Sequence, residues 1–185
     1  IATLDDLVTE GKIRYFGHSN LKGWQIAEAE FTAIMGRHPK FVSAQNEYSL
    51  LARGVEAEVL PAVRQYGLGF LPYFPLHNGI LTGKYTRDGG PTGSRVSGEK
   101  SYLLERTNWA ALERFQKFCN DRGVRMLEAT FGWLLAQQNL TSVIAGATSP
   151  DQVRQNVAAA TAWVPEAADL VELDEIFARG ASGSA

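Results

Sequence analysis

Cysteine is nearly absent. Cys119 is the single one in 185 residues, so no disulfide can form within the chain. With no signal-type start either, a cytoplasmic location is the expectation. Histidine is scarce as well. His18 and His77 have no thiol or carboxylate partner at ligand spacing, and no metal site is expected. Long apolar runs are missing: the stretch from Leu68 to Leu76 is broken by Gly and Pro and falls far short of the ~20 residues of a membrane helix. No excess of one charge exists, the formal net charge being −2. Basic residues are scattered singly, which leaves no stripe to track a nucleic acid. Three nucleotide or nucleophile signatures are also absent: no Gly-x-Gly-x-x-Gly follows a strand, no Gly-x-x-x-x-Gly-Lys-Ser/Thr occurs, and no Gly-x-Ser-x-Gly turn occurs. What remains is a globular composition, 45 % hydrophobic and 21 % charged, long enough for one domain with a core.

Strand and helix patterns alternate along it. Residues 4–10 read as the end of a helix stopped by Gly11. Lys12 to Gly17 read as a strand that ends in His18-Ser19-Asn20. A helix over 23–36 carries Trp24, Ala27, Phe31 and Ile34 on one face. Phe41 to Gln45 is a second strand, Val55 to Tyr66 a helix with Pro61 as a kink or first-turn residue, and Leu68 to Tyr73 a third strand. A long Gly-rich loop follows from Pro75 to about Lys100. Within it, the Gly89-Gly90-Pro91-Thr92-Gly93 run suggests a cover over 86–106 that closes on a ligand. Asn108 caps a helix to Arg122, and a second runs from Leu127 to Gln138. Thr141 to Ala145 is a fourth strand. Ser149-Pro150-Asp151-Gln152 is a capping box with Pro at the first helical position. The last helix covers roughly 169–178. Four strand–helix units of this kind imply parallel strands joined by right-handed crossovers. The chain is too short for a whole (β/α)8 barrel, which takes ~250 residues.

Polar residues gather at the C-terminal ends of the strands, where ligands bind in parallel α/β folds. They are His18-Ser19-Asn20, Gln45-Asn46-Glu47-Tyr48, Tyr73 to Gly79, and Gly146 to Ser149. Ser, Asn and Gln there suit a carboxamide ligand better than a metal. Tyr73 offers a ring for stacking or simply packs at the sheet edge. The turn before the last capping box offers a phosphate site, or Ser149 merely caps. Lys84 and Arg95 add cations to such a site or remain solvated. Glu47 invites a glycosidase reading, but that chemistry needs a second strand-end carboxylate, and none appears.

Taken together, these segments resemble the aldo-keto reductase family, in its bacterial and potassium-channel β-subunit-like branch. Gly11 to Asn20 resembles that family's fifth strand, and Gln45 to Leu50 the sixth. Pro72 to Leu76 with Gly79 to Tyr85 resembles the seventh. Ile144 to Gln152 with Asn156 resembles the eighth strand and cofactor helix. The resemblance implies an α/β fold made of four βα units plus terminal helices, the C-terminal half of a (β/α)8 barrel. It implies an oxidoreductase that reduces an aldehyde or ketone with NADP(H), NAD(H) not being excluded. It assigns Ser19, Asn20 and Gln45 to the nicotinamide carboxamide and Tyr73 to its ring. The backbone from Phe74, Pro75 and Leu76 through Gly79 to Leu81, with Lys84, goes to the pyrophosphate. Arg95, Gly146, Ala147 and Thr148 go to the adenosine ribose and its 2′-phosphate, and Gln152, Gln155 and Asn156 to the adenine.

Departures are visible. Phe74 stands where Ser is common, and His18 where a small or branched residue is common. Gly146 and Gln152 replace a Lys and an Arg of other branches, which leaves the choice of nicotinamide cofactor open. The family's catalytic Tyr, Asp, Lys and His belong to its first four strands, so no catalytic residue is assigned here. Residues 1–178 are expected to form the cofactor-binding side of a barrel, 179–185 a flexible tail. The chain reads as a fragment, inactive by itself, whose partners are a small carbonyl substrate and either the N-terminal half of the barrel or a second copy. Neither nucleic acid nor membrane is expected. The alternative is a cofactor-holding sensor with little turnover.

Overall fold

The computed structural model describes residues 1–91, 93–98 and 100–177, apart from the side chain of Arg95. The tail expected over 179–185 lies outside the described residues. Three short parallel strands form the sheet: β1 (His18–Ser19), β2 (Ser43–Gln45) and β3 (Gly69–Phe70), in that order. His18 is level with Ala44, and Ala44 with Phe70. The parallel ladder extends beyond them. Leu71 and Tyr73 donate to the Ala44 and Asn46 carbonyls, and Thr141 and Ile144 to those of Phe70 and Pro72. Residues 140–144 thus lie beside β3 through two isolated parallel bridges. The first strand begins later than its apolar pattern suggested, because Phe16 is the first residue there to meet a neighbour, accepting from the Val42 N–H.

Eight α-helices accompany the sheet among the described residues: α1 (Ala2–Thr9), α2 (Gly23–Gly36), α3 (Val59–Tyr66), α4 (Tyr102–Arg106), α5 (Trp109–Arg122), α6 (Met126–Leu135), α7 (Pro150–Ala162) and α8 (Ala167–Ile176). Local chemistry sets several ends. The Asn108 side chain accepts from the Ala111 N–H, and Gly123 closes α5 at φ 65°. Ser149 Oγ accepts from the Gln152 N–H ahead of Pro150. Pro61 sits in the first turn of α3, where its missing N–H costs nothing.

Two readings need correction. The Trp24, Phe31 and Ile34 stripe of α2 is exposed, whereas Gly23, Ile26, Glu30 and Ala33 are buried. That opposite face packs on α3, and the buried Glu30 is paired with Lys40. The long loop after β3 carries structure of its own: 3-10 turns at His77–Thr82 and Arg95–Ser97, then α4. Val96 in it is fully buried.

The core is centred on α6, seven of whose ten residues are buried. Trp133 packs against Tyr48 at 5.1 Å between ring centroids, and Tyr48 meets Phe70 at 6.0 Å. Arg53 lies buried beneath Trp133, its guanidinium 5.2 Å from the ring. It donates to Glu56, pairs with Asp174 at 2.8 Å and caps the Phe177 carbonyl at 3.1 Å, so the turn after β2 is tied to the end of α8. Burial pushes the Cys119 thiol up to about 12, which leaves it un-ionised. No helix among the described residues is long and apolar enough to cross a membrane.

Two predictions follow from packing. A Cβ on Gly132 would come within 2.7 Å of both the Trp163 ring and its carbonyl oxygen, at the close crossing of α6 and α7. Gly132→Ala should therefore cost about 1–3 kcal/mol of stability in a urea titration; an unchanged midpoint contradicts the crossing. His18 packs edge-on to Phe41 at 5.3 Å with both ring nitrogens shielded and unpartnered. Burial lowers its pKa from the usual 6.5 and that of His77 likewise. Above pH 6.5 both states carry neutral rings; below it the unfolded chain takes up protons the folded one resists. Stability should fall on acidification from that value toward the folded-state pKa, and His18→Leu should flatten the slope; an equal slope in the variant contradicts this.

Candidate functional site

Parallel registration brings the strand ends together. Asn20, Gln45, Tyr73 and Ile144 lie across one edge of the sheet. The Asn20 N–H and Ser19 Oγ both donate to the Gln45 carbonyl, at 2.9 and 3.1 Å. Tyr73 Oη donates to Asn20 Oδ1 at 2.8 Å. Asn20 holds this position in the left-handed region, at φ 61°, which Asn tolerates better than most residues. These bonds leave the Asn20 amide nitrogen and the Gln45 side-chain carboxamide without partners among the described residues. Such groups match a second carboxamide, donor to acceptor and acceptor to donor.

Beyond Tyr73 the chain turns sharply. Phe74, His77, Asn78 and Gly79 all have positive φ, from 45° to 93°. Glycine suits the last of these because of its φ of 93°, and a Cβ built there would meet Lys84 Nζ at 3.3 Å. The ammonium therefore lies against the Gly79 backbone and 5.2 Å from the Tyr85 ring. Thr82 Oγ1 donates to the Gly79 carbonyl at 2.7 Å, which fixes the turn.

A groove of about 1280 Å³ starts at Tyr73, follows this turn and reaches the first turns of α7. Of the residues singled out in the sequence, Tyr73 to Leu76, Gly79 and Lys84 line one end. Gly146 to Thr148, Gln152, Gln155 and Asn156 line the other. Ser19, Asn20 and Gln45 stand outside its walls, joined to it through Tyr73. Leu81 is fully buried in the core and offers only its backbone. The side chain of Arg95 lies outside the described residues. Thr148 donates through N–H and hydroxyl to Gln152 Oε1, at 2.8 and 3.1 Å, so the start of α7 is internally satisfied.

Sequence reading missed one wall. Gln116 and Asn120 of α5, and Val124 to Leu127 before and within α6, also line the groove. Gln116 and Asn120 are an i,i+4 polar pair joined at 2.9 Å, on the side of α5 away from its apolar face. That spacing was the available signal. No Asp or Glu lines the groove among the described residues, whereas Lys84 and Arg125 do. Its lining among the described residues thus combines two cations, no carboxylate and a tyrosine ring at one end.

A polar cluster sits at its mouth. Glu47 Oε1 lies 3.8 Å from His77 Nδ1. Burial raises the Glu47 pKa, and Lys100 pulls it partly back. Lys100 donates to Asn78 Oδ1 at 2.9 Å and lies 5.5 Å from the Phe74 ring, strapping the segment before α4 onto the turn.

Comparison with known proteins gives the chain relatives. The chain is 36 % identical over 152 residues to the uncharacterized oxidoreductase YrpG of Bacillus subtilis, covering 82 % of this chain and 45 % of that protein. It is 36 % identical over 163 residues to an NADH-specific methylglyoxal reductase of Escherichia coli, covering 86 % and 47 %. A probable voltage-gated potassium channel subunit beta of Oryza sativa is 29 % identical over 181 residues, covering 93 % and 55 %. The chain spans about half the length of these relatives. The profile of the aldo/keto reductase family matches residues 1–177, and the chain belongs to that family.

Proposed function

We propose that this chain is the cofactor side of an NADP(H)-dependent carbonyl reductase, the second set of four βα units of a (β/α)8 barrel. NAD(H) remains a candidate in place of NADP(H). The observation that carries the reading is the carboxylate-free groove running from the Tyr73 ring past Lys84 to Gln152 and Asn156. The donor set fits the group: unpartnered carboxamides at Asn20 and Gln45 for the nicotinamide amide, a tyrosine ring beside them, and a cation against a tight turn for phosphate.

When bound, the dinucleotide supplies a hydride to the carbonyl carbon of an aldehyde or ketone. The chain's own residues prepare that transfer. Tyr73, anchored by Asn20, presents one ring face and so fixes which side of the nicotinamide is covered. Gln45 and Asn20 set the ring's rotation through its carboxamide. Lys84 neutralises phosphate charge at the turn. The proton for the developing alkoxide comes from residues outside this chain, so the chain alone is inactive. The exposed Trp24, Phe31 and Met35 of α2 and Val153 and Val157 of α7 support a closing partner, either the first half of the barrel or a second copy. Such burial is worth about 25 cal/mol per Å² of apolar surface. A cytoplasmic enzyme acting on a small carbonyl compound completes the reading, with residues 1–178 as one unit.

Two outcomes test it. NADPH titrated into the protein as its gene encodes it should give saturable enhancement of cofactor fluorescence, and an aldehyde should then drive loss of NADPH absorbance. Absence of binding by NADPH and NADH alike contradicts the reading. Tyr73→Phe keeps the ring and removes the bond to Asn20, so cofactor affinity should fall by about two- to tenfold. Tyr73→Ala should lose considerably more; equal affinities in all three proteins would contradict a role for the ring.

A further inference from the structure

We propose that His77 couples cofactor binding to proton uptake: the turn after Tyr73 holds the dinucleotide more tightly when a proton is shared between the His77 ring and the Glu47 carboxylate. The inference rests on the reading of the groove as a nicotinamide-cofactor site. His77 stands between Leu76 and Asn78, both of which line that groove, in a run of left-handed residues. Its N–H donates to the Phe74 carbonyl at 2.9 Å, which closes the turn on itself. It therefore belongs to the turn assigned to the phosphates without lining the groove. Charged side chains meet this turn from the segments around it. Glu47 comes from the end of the second strand, level with Tyr73 in the ladder, and its Oε1 is 3.8 Å from His77 Nδ1. That is about 1 Å beyond a good hydrogen bond. Lys100, before α4, donates to Asn78 Oδ1 and lies close enough to Glu47 to pull its pKa down. Lys84 reaches the Gly79 backbone at the other end of the turn.

His77 Nδ1 is shielded from solvent and has no hydrogen-bond partner among the described residues. An orphaned ring nitrogen costs stability in a neutral imidazole. In a protonated ring it becomes an N–H beside a carboxylate. The Glu47 side chain is 41 % exposed and that of His77 22 %, so solvent protons reach the pair from the Glu47 side. Burial lowers the His77 pKa from 6.5 and raises that of Glu47 from 4.5, so the protein by itself resists a charge on the ring. Two ammonium groups at the turn oppose a third cation, and Glu47 supplies the opposite charge that permits it. A pyrophosphate at the same turn adds negative charge and raises the His77 pKa in the complex. By linkage, a proton bound more strongly in the complex tightens the cofactor in return. Affinity is then level above the His77 pKa of the complex and rises as pH falls through it. It levels off again below the pKa of the free protein, which lies under 6.5.

The test titrates NADPH (NADH where only that binds) into the protein as its gene encodes it and into His77→Gln and Glu47→Gln variants, at about pH 8 and about pH 6. Relative to His77→Gln, the wild-type protein should gain about three- to tenfold in affinity over that fall in pH. Titration of the cofactor's own phosphates is common to all three proteins and cancels in the ratio. Glu47→Gln keeps the shape of the pair without its charge, so its gain should be about two- to threefold smaller than that of the wild type. It carries the test should His77→Gln fail to fold. Calorimetry in two buffers of different ionisation heat gives a second readout: binding should take up more proton in the wild type than in either variant. Mere loosening of the turn would weaken binding at both pH values alike. A gain in either variant equal to that of the wild type, or equal proton uptake in all three, overturns the coupling and leaves the cofactor reading standing. A wild-type protein that binds neither NADPH nor NADH at either pH overturns the cofactor reading and the coupling with it.

Discussion

The parallel hydrogen-bond ladder is the constraint from which the rest of the molecule follows. Once Leu71 and Tyr73 donate to Ala44 and Asn46, and Ile144 donates to Pro72, the registers of the strand segments are fixed. A slip of one residue would turn Gln45 and Tyr73 to the opposite face and bring Ala44 and Phe70, now in the core, to the site. The ladder therefore does two jobs with one set of bonds. It buries the alternate residues Ala44, Tyr48 and Phe70 under α6, and it delivers the intervening polar ones to a common edge. The Tyr73–Asn20 bond then spans the three strands and ties the edge together.

Beyond the ladder, charge and backbone geometry divide the work. Arg53 draws the end of α8 onto the core through Asp174 and Phe177, while Glu56 holds the other side of its buried guanidinium. Arg122 stands over Phe118 at 3.7 Å and reaches Asp169 and Glu172 on α8 from the other side. These contacts tie α8 to α5, whose Gln116 and Asn120 line the groove. At the site itself the left-handed residues after Tyr73 do what no side chain could: they fold the chain back in four steps, so that Lys84 returns to within reach of Gly79.

Much of this could be read from sequence where the cause is local. Asn108 and Ser149 announce their helices because a cap bonds two or three residues away. Tyr73, Gln45 and the turn before α7 could be placed because strand ends are where parallel folds collect polar groups. Causes that act across the chain were hidden. The start of β1 depends on where β2 offers a donor, not on the Lys12–Gly17 pattern. The Trp24, Phe31 and Ile34 stripe of α2 could be read as one face, but not that this face is exposed while Ile26 and Ala33 are buried on the other. Gln116 and Arg125 join the groove because α5 and α6 fold back against a turn some forty residues earlier; the Gln116–Asn120 spacing marks a polar face of α5 without saying what that face meets.

Hydrogen exchange, followed by mass spectrometry with and without NADPH, tests the central claim most directly. The account predicts protection in four separated segments at once: around residues 18–20, 45–48, 73–85 and 146–156. Those segments are distant in sequence and share only the sheet edge and the groove. Protection confined to other regions, or none at saturating cofactor, would contradict the claim that the ladder assembles them into one dinucleotide site.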